Sequence, residues 1–475
     1  MATAIAHAPS DSPDLSARLW TQDLPREHGF EPLTVEGTLP AELRGTLYRN
    51  GPGQFGQFGR RYTHPFEGDG AVTAVRFADG RALGAAKLTA TTGLADERAA
   101  GRILYGTGVP WLRKMSNLVR GRHKNTANTS VVMWQGRLFA LMEGGLPTEL
   151  DPRDLATRGE TDLDGTVVSM FSAHPHRVAA RRAIYNFGLE YGRQTRLHVY
   201  ELPDAAPARH LAAIPLPFAP MVHDFIATPS HLVFFLSPVK VQVPRMLLGV
   251  GDFGDYFRWR PELGTEIICV RIDAPDQVVR FTVDAFYQWH FANAHNYGTE
   301  LIVDYVRYAS FDSFTAIGDM TRAPSALYEG RPHRAVIDLA GRTLVDHALS
   351  DHSAEFPTVA PRVTGAHHGY TYLAVDGLSA VGKLDHASGQ LVAHALTTAR
   401  ATEPVFVPRP GGTREDDGWL LVLCHDGPSS RAFVGVYDAA RVADGPLARA
   451  WFDHHVPITF HGVFAPSDPV AITLR

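Results

Sequence analysis

The chain of 475 residues is 45% hydrophobic and 20% charged, with 45 basic against 50 acidic side chains for a net charge of −5. That balance excludes a global polycation built to hold nucleic-acid phosphates. Two cysteines, Cys269 and Cys424, exclude a disulfide framework or a cysteine-based zinc module. Both lie in apolar runs (EIICV, LLVLC) and read as buried free thiols, in keeping with a cytoplasmic protein.

The opening MATAIAHAPSDSPDLSARLW lacks the basic start and unbroken apolar core of a secretory signal. Residues 1–25 read as an N-terminal arm with a short helix at 15–19, and residues 26–475 as a single domain without a linker. No stretch approaches the roughly 18 uncharged apolar residues of a membrane span. Strand chemistry then recurs in AVTAVRF (71–77), GRLFALM (136–142), HLVFFL (231–236), EIICVRI (266–272), LIVDYVRY (301–308), YTYLAV (370–375), WLLVLC (419–424) and AFVGVY (432–437). AVTAVRF–ADG–RALGAAK and VGKLDHA–SG–QLVAHAL read as hairpins. A second short helix is expected at PRDLATRG (152–159). Many hairpins and little helix predict an all-β chain. A closed ring of small sheets would remove the exposed edges that so many strands create. Seven blades would take roughly 60–65 residues each, above the ~40–45 of a compact propeller repeat, and the surplus would form long loops roofing one face.

Among 23 histidines, four sit beside aromatic or apolar residues in or at the ends of strand-like runs: His174 (SAHPH), His223 (MVHDF), His290 (WHFANA) and His461 (FHGVF). Spacings of 49, 67 and 171 residues forbid a single loop or helix from presenting all four, whereas strands near a propeller axis converge. Imidazole suits iron, copper, zinc or nickel, and the absence of matched cysteines argues against softer sites. A core histidine bonded to backbone is the ordinary alternative for any one of them. Glu143, Glu355 and Glu403 lie at apolar strand edges, where an unpaired carboxylate is costly. They fit either a salt bridge to arginine or the carboxylate behind a metal-bound imidazole, which fixes tautomer and orientation.

The segments LPAELRGTLYRNGPG (39–53), HPFEGDGAVTAVRF (64–77), KNTANTSVV (124–132), FALMEGGLPTELDP (139–152), SAHPH, MVHDF, WHFANA, EFPTVAPR (355–362), EPVFVPRPGG (403–412), DDGWLLVL (416–423) and FHGVF run in order along nearly the whole chain. Together they resemble the carotenoid cleavage oxygenases. The resemblance implies a seven-bladed β-propeller with one Fe(II) per chain on its axis, held by His174, His223, His290 and His461. It implies that Glu143, Glu355 and Glu403 orient the second, third and fourth of these histidines, and that Thr129 sets a methyl against the sixth metal position. The expected reaction is O₂-dependent scission of a C=C bond of a carotenoid or apocarotenoid into two carbonyl products.

Residues next to these positions should line an apolar polyene tunnel: Phe66, Met142, Phe171, Met221, Trp289 and Phe356. Stilbenoid-cleaving relatives often carry lysine immediately before the first of the three glutamates; Met142 keeps that place apolar. Pro65, Glu67, His295 and Asn296 depart from the family's usual residues, with His176 expected at the loop surface and His295 behind the site or at the surface. Segments 105–124 and 244–259 mix exposed-looking apolar residues with basic ones and suit peripheral membrane contact; a buried loop under the roof is the alternative. Rival readings are stilbenoid or phenylpropenoid alkene cleavage, a non-redox retinoid isomerohydrolase, and a metal-free carotenoid-binding propeller. A zinc or calcium hydrolase is disfavoured by the all-imidazole set.

Overall fold

Apolar runs of β-branched and aromatic residues pair with their neighbours in sequence through tight turns, and this local pairing builds the molecule. The computed structural model describes residues 21–106, 109–248, 250–319 and 329–467, so the expected helix at 15–19 and most of the arm lie outside the described residues. The hairpin Asp69–Ala78 with Arg81–Leu88 turns at Asp79 and Gly80, both at positive φ (52° and 68°), the turn that matches the twist of paired strands. The second expected hairpin, Ala380–Asp385 with Gln390–Ala395, is also present. All eight apolar runs form strands.

These strands assemble into seven antiparallel sheets, the blades of a propeller, with two small two-stranded ribbons beside them. We number the blades along the chain. Blade 1 is built on Gly45–Gln54, Asp69–Ala78 and Arg81–Leu88, and blades 2 to 6 begin with the strands Ser130–Trp134, His176–Val178, Ile226–Ala227, Tyr287–Tyr297 and Ala354–Thr358. Blade 7 begins with Ala399–Ala401 and Val405–Pro408 and continues through Gly418–Asp426, Arg431–Asp438 and Pro446–Trp451. Strands from both ends of the described chain close the ring. The last strand, His461–Pro466, pairs with Gly45–Gln54 of blade 1, placing His461 opposite Asn50. Near the N-terminus, His28–Pro32 adds to the outer edge of blade 1, while Thr34–Gly37 adds to the outer edge of blade 7.

Blades stack through their apolar faces. Leu47, Val75 and Phe77 of blade 1 pack with Trp419, Leu421 and Val434 of blade 7, and Tyr185 and Leu197 of blade 3 with Leu232, Phe234 and Ile268 of blade 4. Each such side chain contributes about 1.5–3 kcal/mol by leaving water.

The helix expected at 152–159 does not form. Asp151 accepts from the Arg153 amide and Asp154 from the Ala156 amide, Leu155 takes φ 63°, and Thr157–Glu160 is a strand. Asx turns have outcompeted helical hydrogen bonds there. The described helices are instead Thr92–Ala100, Trp111–Val119, Val243–Leu248 and Asp312–Gly318. The last three contribute Leu118, Met246 and Phe314 to one cavity, so they cover the same face of the ring.

Candidate metal centre

Each blade delivers one chemically distinctive side chain toward the axis. His174 and His223 immediately precede the short inner strands of blades 3 and 4, His290 lies within that of blade 5, and His461 opens the strand joined to blade 1. Glu143 follows the second strand of blade 2, Glu355 lies on blade 6, and Glu403 sits between the two inner strands of blade 7.

The four imidazoles converge. One nitrogen from each lies within 4.8 Å of the other three, and His223 Nε2 stands 3.3 Å from His290 Nε2. Around a metal with bonds near ~2.1 Å, adjacent nitrogens sit about 3 Å apart and opposed ones about 4 Å. Behind the rings, His290 Nδ1 meets Glu355 Oε2 at 2.5 Å, His461 Nδ1 meets Glu403 Oε1 at 2.9 Å, and His223 Nδ1 forms an ion-pair contact with Glu143 Oε1. Thus the three carboxylates stand behind the second, third and fourth histidines of the chain. His174 has no such partner; its Nδ1 is 4.0 Å from Asp224.

Burial, then the three neighbouring rings, push His174 well below the usual imidazole range and keep it neutral. Burial also lowers His461, with Glu403 opposing. At His290 burial works downward, but the Glu355 charge and hydrogen bond outweigh it and leave this ring raised. Burial would raise Glu355 and Glu403, yet His290 and Tyr308 hold the first low, and His461 and Arg49 the second. His174 Nε2 is buried and has no hydrogen-bond partner, which is the condition of a ligand atom awaiting a cation. A set of imidazole donors with carboxylates behind them therefore fits a first-row transition metal.

Three further residues hold this arrangement. Asp224 is buried; its Oδ1 accepts from His176 Nε2 at 2.7 Å and from the Phe225 amide, and its Oδ2 from the Phe291 amide at 2.9 Å. His176, at the start of a strand and 22% exposed, thus braces Asp224 instead of lying free on a loop. Arg49, also buried, bonds Glu403 Oε2 at 2.7 Å, and Tyr308 donates to Glu355 Oε1 at 2.5 Å. Sequence reading passed over all three, although Asp224 directly follows a candidate ligand and a buried glutamate demands a cation such as Arg49. His295 is buried beside His367 and His368, away from the four rings.

Asp304, His368 and His386 form a second cluster with metal-like proximity. Its nitrogens are already engaged. His368 Nδ1 faces Asn293 Nδ2 and its Nε2 faces Asp304, while His386 Nδ1 faces Arg334 and its Nε2 faces Thr371. Arg334 also grips both Asp304 oxygens at 2.7 Å. This is a closed hydrogen-bond network.

A cavity of about 570 Å³ adjoins the cluster, with His223, His290 and His461 in its wall. Phe66, Met142, Met221, Trp289 and Phe356 line it, as does Thr129, whose hydroxyl is bonded to Asn128 Oδ1 at 3.1 Å. Phe171 does not line the cavity. It stacks on Tyr200 in the packing between blades 2 and 3, and Met170 takes the lining position instead. A glycine at 188 permits this, since a Cβ there would meet the Met170 carbonyl oxygen at 1.8 Å. Phe356 holds φ at 54°, an unusual conformation for an aromatic residue and one stored beside Glu355. Exposed Leu118 and Leu247 also line the cavity, which therefore reaches the surface beside the helices Trp111–Val119 and Val243–Leu248. Around that mouth Trp111, Leu112 and Val119 are 62%, 76% and 82% exposed, and Leu248 and Val250 are exposed too. No helix among the described residues is long and apolar enough to cross a membrane.

The model of the retinal pigment epithelial membrane protein family matches residues 22–466. The chain is 33% identical over 469 residues to the apocarotenoid-15,15′-oxygenase of Synechocystis sp., covering 94% of this chain and 95% of the relative. It is 28% identical to the lignostilbene-α,β-dioxygenase isozyme III of Sphingomonas paucimobilis, covering 93% and 94%, and 28% identical to the isoeugenol monooxygenase of Pseudomonas nitroreducens, covering 91% and 94%. A cobalt-substituted Synechocystis apocarotenoid oxygenase superposes with a TM-score of 0.87 at 32% identity, over 96% of this chain and 99% of that one. Fold, sequence and the axial cluster agree, and the chain belongs to the retinal pigment epithelial membrane protein family, the carotenoid cleavage oxygenases.

Proposed function

We propose that the protein is an Fe(II)-dependent dioxygenase that cleaves one C=C bond of a carotenoid or apocarotenoid with O₂ to give two aldehydes. The observation that carries this reading is the convergence of four imidazoles, three of them backed by carboxylates, at the wall of an apolar cavity. Iron bound by His174, His223, His290 and His461 would supply the activation of O₂. Glu143, Glu355 and Glu403 fix a proton on Nδ1 of their rings and so direct Nε2 to the centre. Thr129, whose hydroxyl donates to Asn128 Oδ1, lines the cavity and would limit access to a metal held by the four rings. Phe66, Met142, Met221, Trp289 and Phe356 bind the polyene and exclude water. No general base is required of the chain. Residues 26–475 act in this reading as one catalytic domain behind an N-terminal arm.

The apolar cluster at the cavity mouth, next to Arg113, Lys114, Arg120 and Arg122, supports peripheral docking on an anionic bilayer from which a polyene would enter. The buried free thiols Cys269 and Cys424 support a cytoplasmic setting.

Stilbenoid or phenylpropenoid cleavage is the second reading, supported by the lignostilbene and isoeugenol oxygenases among the relatives. Met142 favours the polyene: its sulfur accepts from the Thr126 amide at 3.1 Å and offers a phenol no cation. The deciding experiment is anaerobic Fe(II) reconstitution followed by mass spectrometry of products from apocarotenals and stilbenes under ¹⁸O₂. The proposal expects two labelled aldehydes from an apocarotenal and little stilbene turnover. Turnover of a retinyl ester without O₂ uptake would instead identify an isomerohydrolase, and tight polyene binding without turnover a carrier.

A further inference from the structure

We propose that Arg122 binds one end of the substrate at the cavity mouth, and that this end carries a carboxylate, as in an apocarotenoic acid. The proposal deepens the cleavage reading above and rests on it. Near the clustered histidines the cavity wall is apolar, with Phe66, Met142, Trp289 and Phe356. The wall supplied by blades 3 and 4 is apolar too, with Met170, Phe187, Leu189, Met221 and Val222. Tyr191 lies beside them, its hydroxyl already donating to the Pro220 carbonyl oxygen at 3.0 Å. Apart from Glu143 and Glu355 behind the rings, the charged lining is confined to Glu67, Lys114, Arg122 and Lys124. Three of these four lie on the stretch 111–124 beside the mouth.

Most of that charge is already engaged. Lys124 Nζ bonds Asp69 Oδ1 at 2.7 Å, Glu97 Oε2 at 2.8 Å and the Tyr62 hydroxyl at 2.9 Å, three acceptors for three protons. Glu67 Oε2 accepts from the Thr63 amide and hydroxyl at 3.1 and 2.7 Å. Lys114 has a partner of its own. Arg122 differs: its side chain is exposed and makes no hydrogen bond or ion pair among the described residues. A guanidinium with five N–H donors thus stands at the wall of a cavity without an acceptor. A carboxylate takes two of these donors in parallel, a geometry that an aldehyde or alcohol oxygen does not match.

The backbone that carries Arg122 is held in place. Glu97, fully buried, accepts from the Leu104 and Tyr105 amides through Oε1 at 2.9 and 3.2 Å, and from Lys124 through Oε2. One carboxylate therefore ties down both ends of the segment. Within it the Arg122 amide bonds the Asn117 carbonyl oxygen at 2.8 Å, and Asn117 Nδ2 donates to the Leu104 carbonyl oxygen at 2.8 Å. Substrate orientation follows from the same asymmetry. An ionised carboxylate set against blades 3 and 4 would lose its water with no basic side chain to meet it, whereas beside Arg122 it stays partly hydrated and paired. The hydrocarbon end accordingly points toward blades 3 and 4. Scission with O₂ converts R–CH=CH–R′–COO⁻ into R–CHO and OHC–R′–COO⁻, so both oxygen atoms enter the new aldehydes and the carboxylate is unchanged.

The test measures the affinity of the iron-loaded full chain for an apocarotenoic acid and for its methyl ester, in neutral detergent without O₂, by quenching of tryptophan fluorescence. Wild type, Arg122→Gln and Arg122→Lys are compared, and cleavage of both compounds under air is then followed for KM and kcat. The expected result is tighter binding of the acid than of the ester by wild type. In Arg122→Gln that preference should shrink about fivefold, through Kd and KM rather than kcat, and Arg122→Lys should restore part of it. Selective binding of the acid with no cleavage of either compound would uphold the subsite and overturn the dioxygenase reading. An equal acid-over-ester preference in wild type and Arg122→Gln, or none in wild type, would overturn the subsite. So would an Arg122→Gln variant that loses only its affinity for anionic vesicles in co-sedimentation, because the guanidinium would then serve a lipid headgroup.

Discussion

Asp224 accepts the Phe291 backbone amide at 2.9 Å and so ties the segment bearing His223 to the strand bearing His290. Its other oxygen reaches His176, two residues beyond His174, and a single buried carboxylate thereby fixes the segments of three of the four clustered histidines. In Asp224→Asn an amide NH₂ must face one of these donors. We expect stability to fall by about 1–3 kcal/mol in urea unfolding. Iron affinity should drop roughly 10–100-fold, read as metal retained after dialysis against chelator.

Arg49 and Glu403 form a buried ion pair in which the guanidinium also bonds Thr459, Thr402 and the Phe460 carbonyl. Arg49→Met leaves Glu403 without that partner and should cost about 3–5 kcal/mol. The double variant R49M/E403Q should recover part of this loss in urea unfolding without recovering iron affinity, since the carboxylate behind His461 is then gone.

Burial pushes His64 and His425 down to about 3, with backbone oxygens opposing weakly. Unfolded, each titrates near ~6.5. Between those values the unfolded chain binds protons that the folded chain excludes, so stability is fully present above about pH 6.5 and declines as pH falls. Each residue contributes a slope of up to about 1.4 kcal/mol per pH unit. His425→Gln should lower the slope by one proton, measured by urea unfolding at a series of pH values between about 7 and 4.

At the cavity mouth Leu112 and Val119 are among the most exposed apolar side chains. Replacing both with glutamate should weaken binding to anionic vesicles by about tenfold or more. Cleavage of a detergent-solubilised polyene should stay within about twofold of wild type, because neither residue lines the cavity. Equal loss in vesicles and detergent would point to damage of the fold rather than of a docking surface.

Central strands such as His231–Leu236 and Gly418–Asp426 were legible because they are long, apolar and bounded by turns. The inner strands were not. Ile226–Ala227 has two residues and His176–Val178 three, too few for any periodicity, yet these are the places beside which His223 and His174 sit. His174 and His223 stood out by their apolar setting and by the order of motifs, not by any periodicity of the strands beside them. Of the residues singled out for their proximity in sequence to the four histidines, Met221 and Trp289 line the cavity, whereas the amide of Phe171 bonds Gly145 and its ring turns into the blade packing. The helix at 152–159 failed because Asp151 and Asp154 bond the local backbone, a competition that composition alone does not reveal.

The central claim is that four histidines from separate blades hold one ferrous ion. Its most direct measurement is the iron-to-protein ratio after anaerobic Fe(II) reconstitution and desalting, for wild type and His290→Ala. The account predicts about one iron per wild-type chain and almost none in the variant. Full iron retention by His290→Ala would contradict it.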